Sequence, residues 1–185
     1  MTLLIVNSDG LNPSQFDTVF KAVGLDTLSY TPSATVTAQG SWPSLGSMID
    51  SGKRLVTFMD ARADFTSVPY IIDGKLCPTA CAILTAHDFG PEFTNMWETA
   101  FDVTDTTFDC NVNRSKGDTS TELFLINHFL DKVVLGQPAP DPEHANVTNA
   151  VSGTGSLGTQ VQTCVAAHGR NPNFMLVDVR IYCLA

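Results

Sequence analysis

Arg54-Leu55-Val56-Thr57-Phe58-Met59-Asp60 is the stretch on which the fold turns. Its apolar residues follow one another without alternating with polar ones, and the run is too short for a helix. It reads as a strand buried on both faces. Immediately upstream, residues 43–51 predict a short helix with Leu45, Met48 and Ile49 turned inward and Gly52 as its stop. Residues 3–7 (LLIVN) form a second buried strand. A helix follows, with Asn12 as its cap, Pro13 in its first position and Gln15 completing a capping box. Phe16, Val19, Phe20 and Val23 give this helix one apolar face, and Gly24 ends it. Downstream, residues 123–127 (LFLIN) and 174–178 (FMLVD) are two more strands of the same kind. Between them Leu157, Val161, Cys164, Val165 and His168 mark an amphipathic helix stopped by Gly169. Residues 102–120, rich in Thr, Asp and Asn, read as a long loop. Buried strands alternating with helices predict an α/β fold with a parallel sheet and helices packed outside it.

The 185 residues suit one domain. Hydrophobic residues make up 43% of the chain, enough for a core. Against 19 Asp and Glu stand 10 Lys and Arg, a net charge of -9 that argues against nucleic acid and against electrostatic docking on anionic membranes. The longest aliphatic stretch, Leu3-Leu4-Ile5-Val6, falls far short of a membrane span. No secretory signal is visible, because a strand-like segment starts at the second residue. Asn113-Arg114-Ser115 and Asn146-Val147-Thr148 are glycosylation sequons.

Each strand runs out into polar residues: Asn7, Asp60, the pair Asn127 and His128, and Asp178. In parallel α/β folds ligands bind outside the carboxyl ends of the strands. An imidazole with carboxylates beside it is what proton transfer near neutral pH requires. His128, Asp60, Asp178 and Asn7 are therefore the candidate rim of a cleft. Arg54 and Arg62 flank the second strand within reach of a phosphate, with surface solvation the plainer role for Arg62. His87 and His144 read as solvated, and His168 as a half-buried residue closing its helix. Cys77 and Cys81 are spaced CxxxC without a second pair, which does not make a zinc site. In an oxidising compartment Cys110 and Cys164 read as a disulfide.

Six segments carry a family resemblance: TLLIVNSDG (2–10), WPSLGSMIDSGKRLVTFMDA (42–61), WETAFDVTD (97–105), LFLINHFLD (123–131), NVTNAVSG (146–153) and HGRNPNFMLVD (168–178). In this order they resemble fungal PLC-like phosphodiesterases, secreted relatives of the phosphatidylinositol-specific phospholipase C X domain. The resemblance implies a TIM-type barrel and cleavage of a phosphodiester, with a phosphoinositol-type lipid head group or a related diester as substrate. It further implies two histidines as general base and acid, assisted by an Asp and an Arg, with no metal or cofactor. Asp178 falls where the family has an acidic partner for a catalytic histidine. His128 joins it as a catalytic candidate, and Asn7, Asp60 and Arg54 as substrate-binding ones.

The resemblance covers the later part of the family domain, so residues 1–185 are expected to form a single incomplete domain holding about half of the barrel. The strands bearing the family's catalytic histidines have no counterpart here, which implies an inactive fragment of a secreted parent. The alternative is a non-catalytic secreted binding or structural barrel that has lost its acid and base. Half a barrel leaves sheet edges uncovered, which favours self-association. Residues 74–91 (GKLCPTACAILTAHDFGP) interrupt the family pattern, and 179–185 (VRIYCLA) replace its usual continuation. The 18 residues of the former keep the reading frame, and both segments read as translation through splice donors. This accounts for the odd cysteine count. Cys77, Cys81 and Cys183 lie in these segments, leaving the pair Cys110 and Cys164.

Overall fold

A computed structural model describes residues 1–35, 37–73, 94–115 and 117–177. The readings of 74–91 and 179–185, and of Cys77, Cys81, His87, Asp178 and Cys183, lie outside the described residues. The chain divides into two compact units, Met1–Met96 with Ser115–Glu122, and Trp97–Arg114 with Leu123–Ala185.

The first unit is built on β1 (Thr2–Ile5), followed by α1 (Pro13–Ala22), α2 (Leu25–Leu28) and α3 (Leu45–Asp50). Strands β2 (Val56–Met59) and β3 (Ile71–Asp73) complete its sheet. The order is β1-β2-β3, all parallel, with Leu3 opposite Thr57 and Thr57 opposite Ile71. Helix α1 begins where its capping residues placed it: the Gln15 side chain accepts from the Asn12 backbone N–H at 3.1 Å. Phe20 and the half-buried Phe16 pack against Leu55, Met59, Tyr70 and Ile71. Tyr70 closes the helix onto this core, stacking on Phe20 and donating its hydroxyl to Asp17 at 2.5 Å.

Burial in this unit corrects several expectations. Strand β2, flanked on both sides, is wholly buried, but β1 is half exposed because only one ladder covers it. Val19 and Val23 are exposed, since the inward stripe of α1 is narrower than its apolar spacing suggests. In α3 only Met48 is buried, while Leu45 and Ile49 face out at 78% and 54% exposure.

Apart from Met96, the second unit holds β4 (Met96–Glu98), β5 (Leu123–His128), a hairpin of β6 (Asp131–Val134) and β7 (Gln137–Pro140), α4 (Ala145–Thr148), α5 (Leu157–His168) and β8 (Phe174–Val177). Its main sheet runs β4-β5-β8, with β5 and β8 parallel and Leu125 opposite Phe174. Central β5 is fully buried. Edge strand β8 exposes Met175, Leu176 and Val177, contrary to the reading of a strand buried on both faces. Helix α5 has the predicted bounds. The Ser156 hydroxyl accepts from Thr159 N–H at 3.2 Å, and Gly169 ends the helix at φ 67. A disulfide joins Cys110 in the long loop to Cys164 in α5, packed with Trp97, Phe124 and Ile126. Sequence reading missed β3, β4 and the hairpin.

Candidate functional site

In the first unit the carboxyl ends of three parallel strands carry Asn7, Asp60 and Asp73 along one edge. The Asn7 backbone N–H donates to Asp60 Oδ1 at 2.8 Å. Its buried side chain donates to the Leu11 carbonyl at 2.9 Å and the Ala61 carbonyl at 3.1 Å, and accepts from Leu11 N–H at 2.9 Å. That amide is spent on backbone, so Asn7 holds the rim together and leaves Asp60 as its half-buried carboxylate. Arg54 precedes β2 and Asp60 follows it. Six residues at about 3.3 Å each separate the two by roughly 20 Å, which puts Arg54 at the opposite end of the strand. The cation on this edge is Arg62. It is exposed, held at φ 64, and lies across Gly10, where an added Cβ would meet Arg62 Nε at 3.5 Å. Arg62 makes no ion pair among the described residues.

In the second unit His128 ends β5 and is completely buried. Its Nδ1 lies 2.6 Å from Gln160 Oε1, and its Nε2 lies 2.8 Å from the Thr148 carbonyl. Phe108 covers the ring at 4.1 Å between centroids. With both nitrogens held by protein, His128 ties α4 and α5 to the strand end and presents nothing to a ligand in this structure. Gln160 passes the contact on, donating to the Asp109 carbonyl at 2.9 Å. Beyond it a cavity of about 320 Å³ is lined by Phe101, Asp102, Asp105, Phe108, Asp109 and Gln160. Asp105 accepts from the hydroxyl and backbone N–H of Thr107, which hold its carboxyl below the usual carboxylate range. Buried Glu98, ending β4, pairs with Arg114, whose guanidinium sits 4.3 Å from the Phe101 ring centre.

The accessible imidazole of this unit is His144, just past the hairpin. Asp141 Oδ2 holds its Nδ1 at 2.7 Å, and Nε2 is left to solvent. Lys132 Nζ lies 3.9 Å from the other Asp141 oxygen and 3.7 Å from Glu143. A carboxylate orienting an imidazole by one nitrogen leaves the other for proton transfer. Reading His144 as solvated missed this pairing; the Asp-x-x-His spacing at 141–144 was the available signal. His168 closes α5 as expected, its Nε2 2.6 Å from the Cys110 carbonyl and its ring against Trp97. The sequon residues Asn113 and Asn146 are exposed. Among the described residues no three His, Cys, Asp or Glu side chains converge on a metal position, and no helix is long and apolar enough to cross a membrane.

Parallel strands with polar residues gathered at their carboxyl ends define an α/β protein of the kind that places its ligands on that edge. Comparison with known proteins gives the family. The PI-PLC X model matches residues 1–182. The chain is 37% identical over 181 residues to a PI-PLC X domain-containing protein 1 of Arthroderma benhamiae, covering 96% of this chain and 53% of that protein. It is 36% identical over 186 residues to an uncharacterized secreted protein of the same fungus, covering 96% of this chain and 38% of the relative. No solved structure matches. The chain belongs to the PI-PLC X family and spans about half the length, or less, of these two relatives.

Proposed function

We propose that this chain is part of a secreted phosphoric diester hydrolase of the PLC-like kind, acting on a phosphoinositol-type lipid or a related phosphodiester by general acid/base catalysis. Family membership over residues 1–182 is the observation that carries this reading. In it, the two units are staves of one incomplete TIM-type barrel domain, and the reaction belongs to a protein of the relatives' length. A general base removes the proton of the attacking hydroxyl, a general acid protonates the leaving oxygen, and cationic groups stabilise the negative charge on the phosphoryl oxygens. Asp178 is the proposed acidic partner of a proton-transferring group, with Asp60 and Arg62 facing the substrate and Asn7 fixing their edge. His128 serves as a buried positioning residue at the end of β5. The Cys110–Cys164 disulfide supports the oxidising compartment this reading needs.

The burial of His128 favours a second reading, a secreted barrel domain that binds without catalysis. ³¹P NMR of phosphatidylinositol and glycerophosphoinositol, incubated with this chain and with a protein of the relatives' length, separates the two. A new phosphate-ester resonance from the longer protein, lost on Asp178→Asn, supports the hydrolase. Unchanged spectra for both proteins and both substrates support the binding domain.

A further inference from the structure

The fold gives the residues of the Asn146-Val147-Thr148 sequon opposite surroundings. Asn146 and Val147 lie on the outer side of α4, while Ala145 and Thr148 face inward and are buried. The Asn146 side-chain amide makes no hydrogen bond among the described residues, so the fold does not depend on it. Close to it in sequence, Val147 and Val151 are exposed by 46% and 87%, apolar surface that the polypeptide leaves in water. Thr148 is completely buried. Its hydroxyl lies 3.3 Å from the His144 and Ala145 carbonyls, and its own carbonyl holds His128 Nε2 at 2.8 Å.

These surroundings order two events. Transfer of an N-linked glycan reads the Asn amide and the Thr hydroxyl together. In the folded chain that hydroxyl is enclosed, so the sequon can be read only before α4 docks. After folding, the amide points outward, where a bulky hydrophilic group is carried without breaking a side-chain hydrogen bond. The second sequon is less suited. Asn113 is exposed too, but its backbone N–H is bonded to the Glu98 carbonyl at 2.9 Å. It also lies close to Cys110, so closing the disulfide to Cys164 draws it into the fold. Asn146 is far in sequence from either half-cystine.

We propose that Asn146 carries an N-linked glycan, added to the unfolded chain and standing outward beside Val147 and Val151. In the transfer, Asn146 Nδ2 bonds to the anomeric carbon of the first N-acetylglucosamine of a lipid-pyrophosphate-linked oligosaccharide. The bond from that carbon to the pyrophosphate oxygen breaks, the lipid pyrophosphate leaves with the electron pair, and the amide nitrogen gives up one proton. The proposal rests on the secretory compartment of the reading above and on none of its catalysis. The full 185-residue chain is expressed in yeast behind a cleavable secretion leader, which supplies the compartment, so failure at Asn146 is separate from failure of the hydrolase. Total protein from cells and medium is trimmed with endoglycosidase H and analysed by peptide mass spectrometry. Asn146 is expected to retain one N-acetylglucosamine. Thr148→Ser should keep it, and Thr148→Val, which lacks the hydroxyl, should lose it. Because transfer precedes folding, these readings stand whether or not a variant folds. Folded chain made in bacteria and a synthetic peptide of residues 141–153 are then offered to a purified oligosaccharyltransferase with its lipid-linked donor. The peptide should be modified and the folded chain should not. An unmodified Asn146 in yeast overturns the inference, and so does equal modification of folded chain and peptide.

Discussion

His128 and His144 show one side chain put to opposite uses. His128 accounts for two buried hydrogen bonds and a ring contact, so His128→Ala leaves Gln160 and the Thr148 carbonyl unsatisfied beside a cavity. We expect it to cost about 2–4 kcal/mol in urea unfolding. His144→Ala removes an exposed side chain and should cost less than about 1 kcal/mol. The exposure of His144 was legible in the sequence, but the burial of His128 was not. The strand end at 128 was, but the partners that bury it lie 20 and 32 residues away. The rim pair Asn7 and Asp60 was legible because each directly follows an apolar run, whereas the inward turn of the Asn7 amide depends on Leu11 and Ala61. Asp17 makes a pH prediction. Hydrogen bonds from Lys21, then Tyr70, hold its carboxyl below the usual range, so its stabilisation is present above about pH 4 and lost as pH falls further. Lys21 is raised by that bond, and Tyr70 by burial and then by Asp17; both contributions are present below about pH 10 and lost above it. Asp17→Asn should therefore flatten the acid limb of a stability-versus-pH curve followed by circular dichroism and shrink the alkaline one, whose Tyr70 part survives through burial.

At the scale of elements, α1, α5 and the central strands β2 and β5 could be read in advance, because caps and uninterrupted apolar runs are local signals. Strand β3 is only three residues long, too short for a pattern. The hairpin escaped notice because Pro138 and Pro140 argue against a strand, and the structure tolerates them in a two-stranded ribbon. The exposure of β1 and β8 was not legible either, since a continuous apolar run does not say how many neighbours a strand has. The start of α5 supplies the test at this scale. A Cβ on Gly158 would run into the Val151 carbonyl oxygen, so Gly158→Ala must push the helix off residue 151. The expected loss is about 2 kcal/mol in urea unfolding, even though alanine is the better helix former.

At the scale of the whole molecule, the exposed outer strands decide how the protein behaves in solution. Met175, Leu176 and Val177 lie exposed in sequence on edge strand β8, an arrangement that templates pairing with another chain. We expect concentration-dependent association in sedimentation velocity, shifted toward monomer by Leu176→Lys. Within the second unit, the Cys110–Cys164 bond spans a sequence separation of 54, and reducing it should cost about 4 kcal/mol on the chain-entropy scale, read as a lower melting temperature. The same bond has an optical consequence. The protein has two tryptophans, Trp42 in the first unit and Trp97 in the second, and Trp97 shares a buried cluster with both half-cystines. Disulfides quench indole emission, so the native chain should glow mainly from Trp42. On reduction the dim fluorophore should brighten, giving each half of the polypeptide its own intrinsic lamp.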